Sequence, residues 1–256
     1  MLHDYDTGDF HFTKGNLDLY LKELAKEYRK IVRENAPAEL ILIGGASVLL
    51  NYDFRNSTTD VDALIEADSA LKEAIHRVGD KYGLPKDWVN AEFQYTDSYS
   101  PKLVQFSVYY RTFSNVLTIR TVSEEYLIAM KLRSGRRYKH DLSDVLGILK
   151  EHQKNGDPIT MEQIKKAVCD LYGSYDSLPK SSRVFLERAM QNGDYEKLYQ
   201  ETVVQEKKVQ EMLSRFEKDY PGILNDRNVD DISEKFERRL ANADTLDALR
   251  KIKENK

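Results

Sequence analysis

LILIGGASVLLNYDFRNSTTDVDALIE, residues 40–66, is the stretch on which the fold reading turns. Leu40-Ile41-Leu42-Ile43 is a short apolar run, β-branched at Ile41 and Ile43, which reads as a buried strand. Gly44-Gly45 breaks it, and Ala46 to Asn51 reads as a short helix. After a polar connection, Asp60-Val61-Asp62-Ala63-Leu64-Ile65 alternates acidic and apolar side chains, as a strand with one polar face does. Side chains two apart on a strand point to the same side, so Asp60 and Asp62 face one spot. Two neighbouring carboxylates repel unless a cation lies between them, and Val61, Ala63, Leu64 and Ile65 supply none. A hard divalent ion, Mg²⁺ or Mn²⁺, relieves the repulsion and also holds nucleotide phosphates. Gly44 and Gly45 carry no Cβ, so a phosphate can approach the N–H groups that start the following helix, where Ser47 adds a hydroxyl.

Outward from this stretch, Leu17, Leu21, Leu24, Tyr28, Ile31 and Val32 recur at helical spacing, predicting a helix over 16–35 opened by Asn16 and closed before Pro37. Residues 69–82 read as a helix. Leu103–Phe113 and Val116–Val122 read as a hairpin turned at Ser114-Asn115. Ser123 then caps a helix that runs to Ser134 and stops at Gly135, and Asp141 opens another carrying Leu142, Val145, Leu146 and Leu149 on one face. From Thr160 or Met161 the chain reads as helical, with breaks near Tyr175–Pro179, Gly193 and Pro221-Gly222. The densely charged stretch from Asp194 reads as a solvated helical hairpin. The expected architecture is α/β (α+β): a small mixed sheet with flanking helices over 1–150, then a helical region over 151–256.

The 256 residues include 39 basic and 43 acidic ones, for a net charge of −4, so any pull on a polyanion must come from a local basic patch. That patch is Lys131, Arg133, Arg136, Arg137 and Lys139, five cations in nine residues with no acid among them. It reads either as phosphate-binding, with Lys131 or Arg136 facing a triphosphate, or as the cationic end of a helix. Asp141 and Asp144 read as first-turn residues or as groups orienting Lys131 and Arg136. A lone cysteine, Cys169, excludes an internal disulfide framework and is expected in the core. The longest apolar run, Leu40–Leu50, is too short for a bilayer, and no secretory leader is read at the start; the expected setting is cytoplasmic, without a membrane partner. His140 reads as a surface turn residue, and Trp88 and Tyr95 as packing under the sheet.

The pattern of strand, Gly-Gly, short helix and Asp-x-Asp resembles the signature of the DNA polymerase β-like nucleotidyltransferases. LPKDWVN (84–90) and EYLIAMKLRSGRRYKHDLSDVLGILK (125–150) narrow the resemblance to the DUF6036 nucleotidyltransferases, related to AbiEii and MenT-type toxins. The resemblance implies an NTP substrate, Mg²⁺ or Mn²⁺, and transfer of NMP to an acceptor such as a tRNA, a protein or a small molecule, in a toxin–antitoxin or phage-defence setting with a cognate antitoxin. It carries metal binding onto Asp60 and Asp62, nucleotide binding onto Gly44, Gly45, Ser47, Lys131, Arg136, Asp141 and Asp144, and catalysis onto Asp60, Asp62 and Lys131. The third carboxylate of the superfamily has no counterpart in Leu103–Tyr110, where Gln105 stands, with Glu92 and Asp97 flanking. That departure leaves open one-metal catalysis, a ligand from elsewhere, or an inactive nucleotide-binding module on the same fold.

Overall fold

The computed structural model describes residues 10–32, 36–65, 69–225 and 228–239. The expected helix end at 33–35 and the tail at 240–256 lie outside the described residues. The first helix, α1 (Lys14–Ile31), begins two residues earlier than its apolar period indicates. Thr13 accepts the Asn16 N–H while the Asn16 side chain accepts the Thr13 N–H, so Asn16 closes a capping box instead of opening the helix. Next come β1 (Ala38–Leu42), α2 (Gly44–Asn51), β2 (Val61–Ile65), α3 (Ser69–Tyr82) and the short β3 (Val89–Asn90).

The predicted strand over 103–113 starts only at Ser107: Pro101–Phe106 form a 3₁₀ turn, followed by β4 (Ser107–Phe113) and β5 (Leu117–Val122). Pro101 fits the first turn of a helix, where no N–H is needed. Ser114 and Asn115 both have positive φ, 52° and 53°, which matches the twist of a tight hairpin and joins β4 to β5 as expected.

The five strands form one mixed sheet in the order β3-β2-β1-β5-β4. β1 runs antiparallel to β2, with Leu42 opposite Ala63, and parallel to β5, with Leu42 opposite Thr121. Alternation sends Leu40, Leu42, Ala63, Leu117 and Ile119 to one face, where Leu17, Leu21 and Leu24 of α1 and Leu71 and Ile75 of α3 complete a core. Ile41, Ile43, Leu64 and Val122 go to the other face and meet α4 (Glu124–Ser134) and α5 (Asp141–Lys154). This second core continues through α6 (Met161–Tyr172) and α7 (Lys180–Asn192) to Tyr195, without a break at residue 150. α8 (Tyr195–Asp219) turns at 220–222 and packs with helical residues 229–239 through Val209, Leu213, Leu224, Val229 and Phe236.

Several single-residue expectations are revised. Cys169 is exposed because it falls on the solvent side of α6, whose core face is Ile164, Ala167, Val168 and Leu171. Trp88 is buried against Phe12 and donates to the Ile75 carbonyl, as packing under the sheet requires, but Tyr95 is 91% exposed on a short 3₁₀ turn. Ser123 sits at the N-cap of α4, yet its hydroxyl donates to the Phe106 carbonyl and caps nothing.

Candidate functional site

The site lies on the α4/α5 face of the sheet, at the β2 end next to the β1–α2 turn. Gly44 adopts φ +56°, a left-handed conformation that an L side chain takes only with strain. The turn carries Gly44 against β2: a Cβ there would lie 3.3 Å from Asp62 Oδ2, and the Ile43 N–H donates to the Asp62 carbonyl at 3.0 Å. Gly45 clears space on the other side, since its Cβ would be 2.5 Å from Thr58 Oγ1 and 3.1 Å from Arg55 Nη2. No side chain caps α2, so its first N–H groups, which lack intrahelical partners, have no side-chain cap either.

Asp62 follows Asp60 by one strand repeat, and Thr58 Oγ1 donates to Asp60 Oδ1 at 3.2 Å. Burial pushes the Asp62 carboxyl up to about 7, the Asp60 charge adds to the rise, and Lys139, Arg136 and Lys131 partly offset it. The Asp62 carboxylate therefore senses Asp60 and three cations of the basic block. A pair of hard oxygen donors of this kind fits an ion that keeps water and takes its remaining ligands from phosphate. Among the described residues, no group of three His, Cys, Asp or Glu is arranged to hold a metal. The β5 residues alternating onto this face are Thr118, Arg120 and Val122, none an acid; Gln105 and Asp97 are exposed, and Glu92 is too.

Asp141 and Asp144 are both buried at the start of α5 and are consumed by cations. Lys131 Nζ bridges them, 2.9 Å from Asp141 Oδ1 and 2.8 Å from Asp144 Oδ2. Arg136 Nε lies 2.9 Å from Asp141 Oδ2, and Arg55 Nη1 grips both oxygens of Asp144 at 2.8 and 2.6 Å. Burial alone would raise both carboxyls, but Arg136 and Lys131 hold Asp141, and Arg55 and Lys131 hold Asp144, well below the usual carboxylate range. Lys131, Arg136, Asp141 and Asp144 thus come together, with Asp141 at the first helical position and His140 at the N-cap.

The basic block divides by partner. Arg133 donates to the Asp97 and Ser177 carbonyls and Arg137 pairs with Glu237, so both serve packing. Lys139, half-buried, makes no ion pair among the described residues and, of the cations, lowers the Asp62 carboxyl most. Ser47 is fully buried, and its hydroxyl oxygen accepts the Val122 N–H at 3.3 Å, which ties α2 to β5.

Arg55 is the site residue that pattern reading passes over. Its signal was available: it is the only basic residue between Arg33 and Lys72, and it stands between the diglycine and the Asp pair. The loop carrying it is pinned from several sides, by Phe54 packed where Gly147 leaves space on α5 and by the Asp53 N–H donating to Glu151.

The sequence model of a family described as a nucleotidyltransferase of unknown function, DUF6036, matches residues 20–191, about two thirds of the chain and every residue of the site above. No curated protein and no solved structure matches it.

Proposed function

The chain belongs to the DUF6036 nucleotidyltransferase family, and on that premise we propose that it transfers NMP from an NTP to an acceptor hydroxyl at the Gly44–Asp62 mouth. The observation that carries the reading is the 3.3 Å approach a Gly44 Cβ would make to Asp62 Oδ2, which sets a capless helix start directly against a paired carboxylate. Asp60 and Asp62 would hold Mg²⁺ or Mn²⁺, which supplies positive charge for the phosphates when bound. Gly44 and Gly45 offer N–H groups to the β- and γ-phosphates at the positive end of α2. Lys139 and the outer edge of Arg136 add positive charge at the same mouth, while Asp141 holds Arg136 and Lys131 in place. The acceptor oxygen bonds to the α-phosphorus, pyrophosphate departs with the bridging electron pair, and the hydroxyl proton passes to solvent. Catalysis of this kind is mostly positioning and charge stabilisation, which a preset ion network provides.

The absence of an acid from Leu103–Tyr110, where the third carboxylate is expected, supports a second reading, a nucleotide-binding module without turnover. A role as toxin, with tRNA as acceptor and an antitoxin as partner, rests on the resemblance alone. The test is incubation of the protein with labelled NTPs, Mg²⁺ or Mn²⁺ and total RNA or lysate. Label transfer that is lost in Asp60→Ala and Asp62→Ala, both folded by circular dichroism, supports the enzyme. Thermal stabilisation by NTP without transfer assigns the binding module. Transfer unchanged in both variants refutes the site.

A further inference from the structure

We propose that α8, which lies beyond the family-matched residues, braces this site, with Glu206 and Tyr199 as positioning residues for the transfer reaction. The inference rests on the proposed function for its kinetic readout. Tyr199 donates from its hydroxyl to the Phe54 carbonyl at 3.2 Å, and its ring meets that of Phe54 edge-on with centroids 5.7 Å apart. Glu206 stands seven residues on, two turns and about 10 Å along the same face of α8. It is 3% exposed, and its Oε1 accepts the N–H groups of Leu142 at 3.2 Å and Ser143 at 3.1 Å.

Those are first-turn N–H groups of α5, whose N-cap His140 forms no side-chain cap. Glu206 therefore does from another helix what an N-cap side chain does locally, and it places negative charge at the positive end of α5. Its Oε2 has no hydrogen-bond partner among the described residues and lies 3.7 Å from His140 Nδ1. A buried carboxylate with an orphaned oxygen is an expensive way to secure a helix, since an amide would accept the same N–H groups at a smaller desolvation cost.

The two anchors flank one ion pair. Phe54 immediately precedes Arg55, and Leu142 and Ser143 lie between Asp141 and Asp144. Arg55 holds Asp144, Asp144 holds Lys131, and Lys131 holds Asp141, which holds Arg136. By gripping both ends, α8 sets the spacing of the Arg55 loop from α5, and with it the placing of Arg55 Nη2, 3.1 Å from where a Gly45 Cβ would sit, and of Lys131 and Arg136 on Asp141. Displacements near 1 Å in such a network lower turnover by up to about a hundredfold.

The experiment uses the full chain and compares Glu206→Ala, Glu206→Gln and Tyr199→Phe in kcat, in KM for NTP, and in amide exchange at residues 53–58 and 141–144. The expected result is a kcat about tenfold lower in Glu206→Ala and about threefold lower in Tyr199→Phe, with KM within twofold of wild type. Glu206→Gln, which still accepts both N–H groups, should restore most of the loss. A kcat within twofold of wild type in folded Glu206→Ala overturns the brace. If that variant does not fold, Glu206→Gln and Tyr199→Phe decide, and wild-type kcat in Tyr199→Phe overturns it. If the wild-type chain transfers no nucleotide, the proposed function fails separately. Amide exchange then judges the brace: faster exchange at 53–58 in Glu206→Ala supports it, and unchanged exchange refutes it.

Discussion

Replacing Asp62 by Asn should make the metal-free protein more stable at alkaline pH while removing its activity. The folded carboxyl titrates at about 7 against an ordinary 3.8, first because it is buried and then because Asp60 is beside it. Between those values the folded chain binds more protons at Asp62 than the unfolded chain does, so stability falls as pH rises through the window. At about 1.4 kcal/mol per pH unit the loss approaches ~4 kcal/mol by pH 8, and water at the open mouth screens that to roughly 2 kcal/mol. Asparagine has nearly the same shape and no charge, so its curve lacks this slope. At pH 5, little more than one unit above the ordinary value, the gap should be less than half that at pH 8, where Asp62→Asn should melt about 4–8 °C higher. Saturating Mg²⁺ or Mn²⁺ should close the gap by stabilising wild type alone. Thermal melts at half-unit steps from pH 5 to 8.5, with and without metal, decide the matter. A difference between the proteins that does not vary with pH would refute the reasoning, because Asp62 would then ionise as a solvated group.

Gly44→Ala should destabilise by about 1–2 kcal/mol, from its left-handed φ and the Cβ pressed on Asp62 Oδ2, and should weaken NTP-induced stabilisation; denaturant midpoints and thermal shifts report both. Lys131→Met leaves the buried Asp141 and Asp144 each one cation short, and a loss of about 3–5 kcal/mol is expected in urea unfolding. Gly147→Ala puts a Cβ 2.5 Å from the Phe54 ring; about 1–3 kcal/mol of destabilisation should appear together with a lower kcat, because the displaced loop carries Arg55. A wild-type melting temperature in any of the three would show that the corresponding contact relaxes freely.

Legibility in the sequence varied with the range of the interaction. The apolar run before Gly44-Gly45, the alternation at 60–65 and the Ser114-Asn115 turn were readable because each depends on neighbours within a few residues. The placing of Asp60 and Asp62 on one side was readable for the same reason, since strand alternation alone dictates it. Ser47 and Lys131 look on paper as available to phosphate as Arg136 does. Packing turned Ser47 to the Val122 N–H and enclosed Lys131 between two carboxylates. Arg55 was missed because nothing in its own neighbourhood explains it: its partner Asp144 is 89 residues away.

By itself, then, the sequence determined the local elements, the diglycine turn and the carboxylate pair, all set by backbone sterics and short-range periodicity. Only the tertiary structure decided which cations are tied up in ion pairs and which are left without one among the described residues. Coulomb and hydrogen-bond energies depend on separation in space. Chain spacing does not report that separation once α5 and α8 have folded over the sheet.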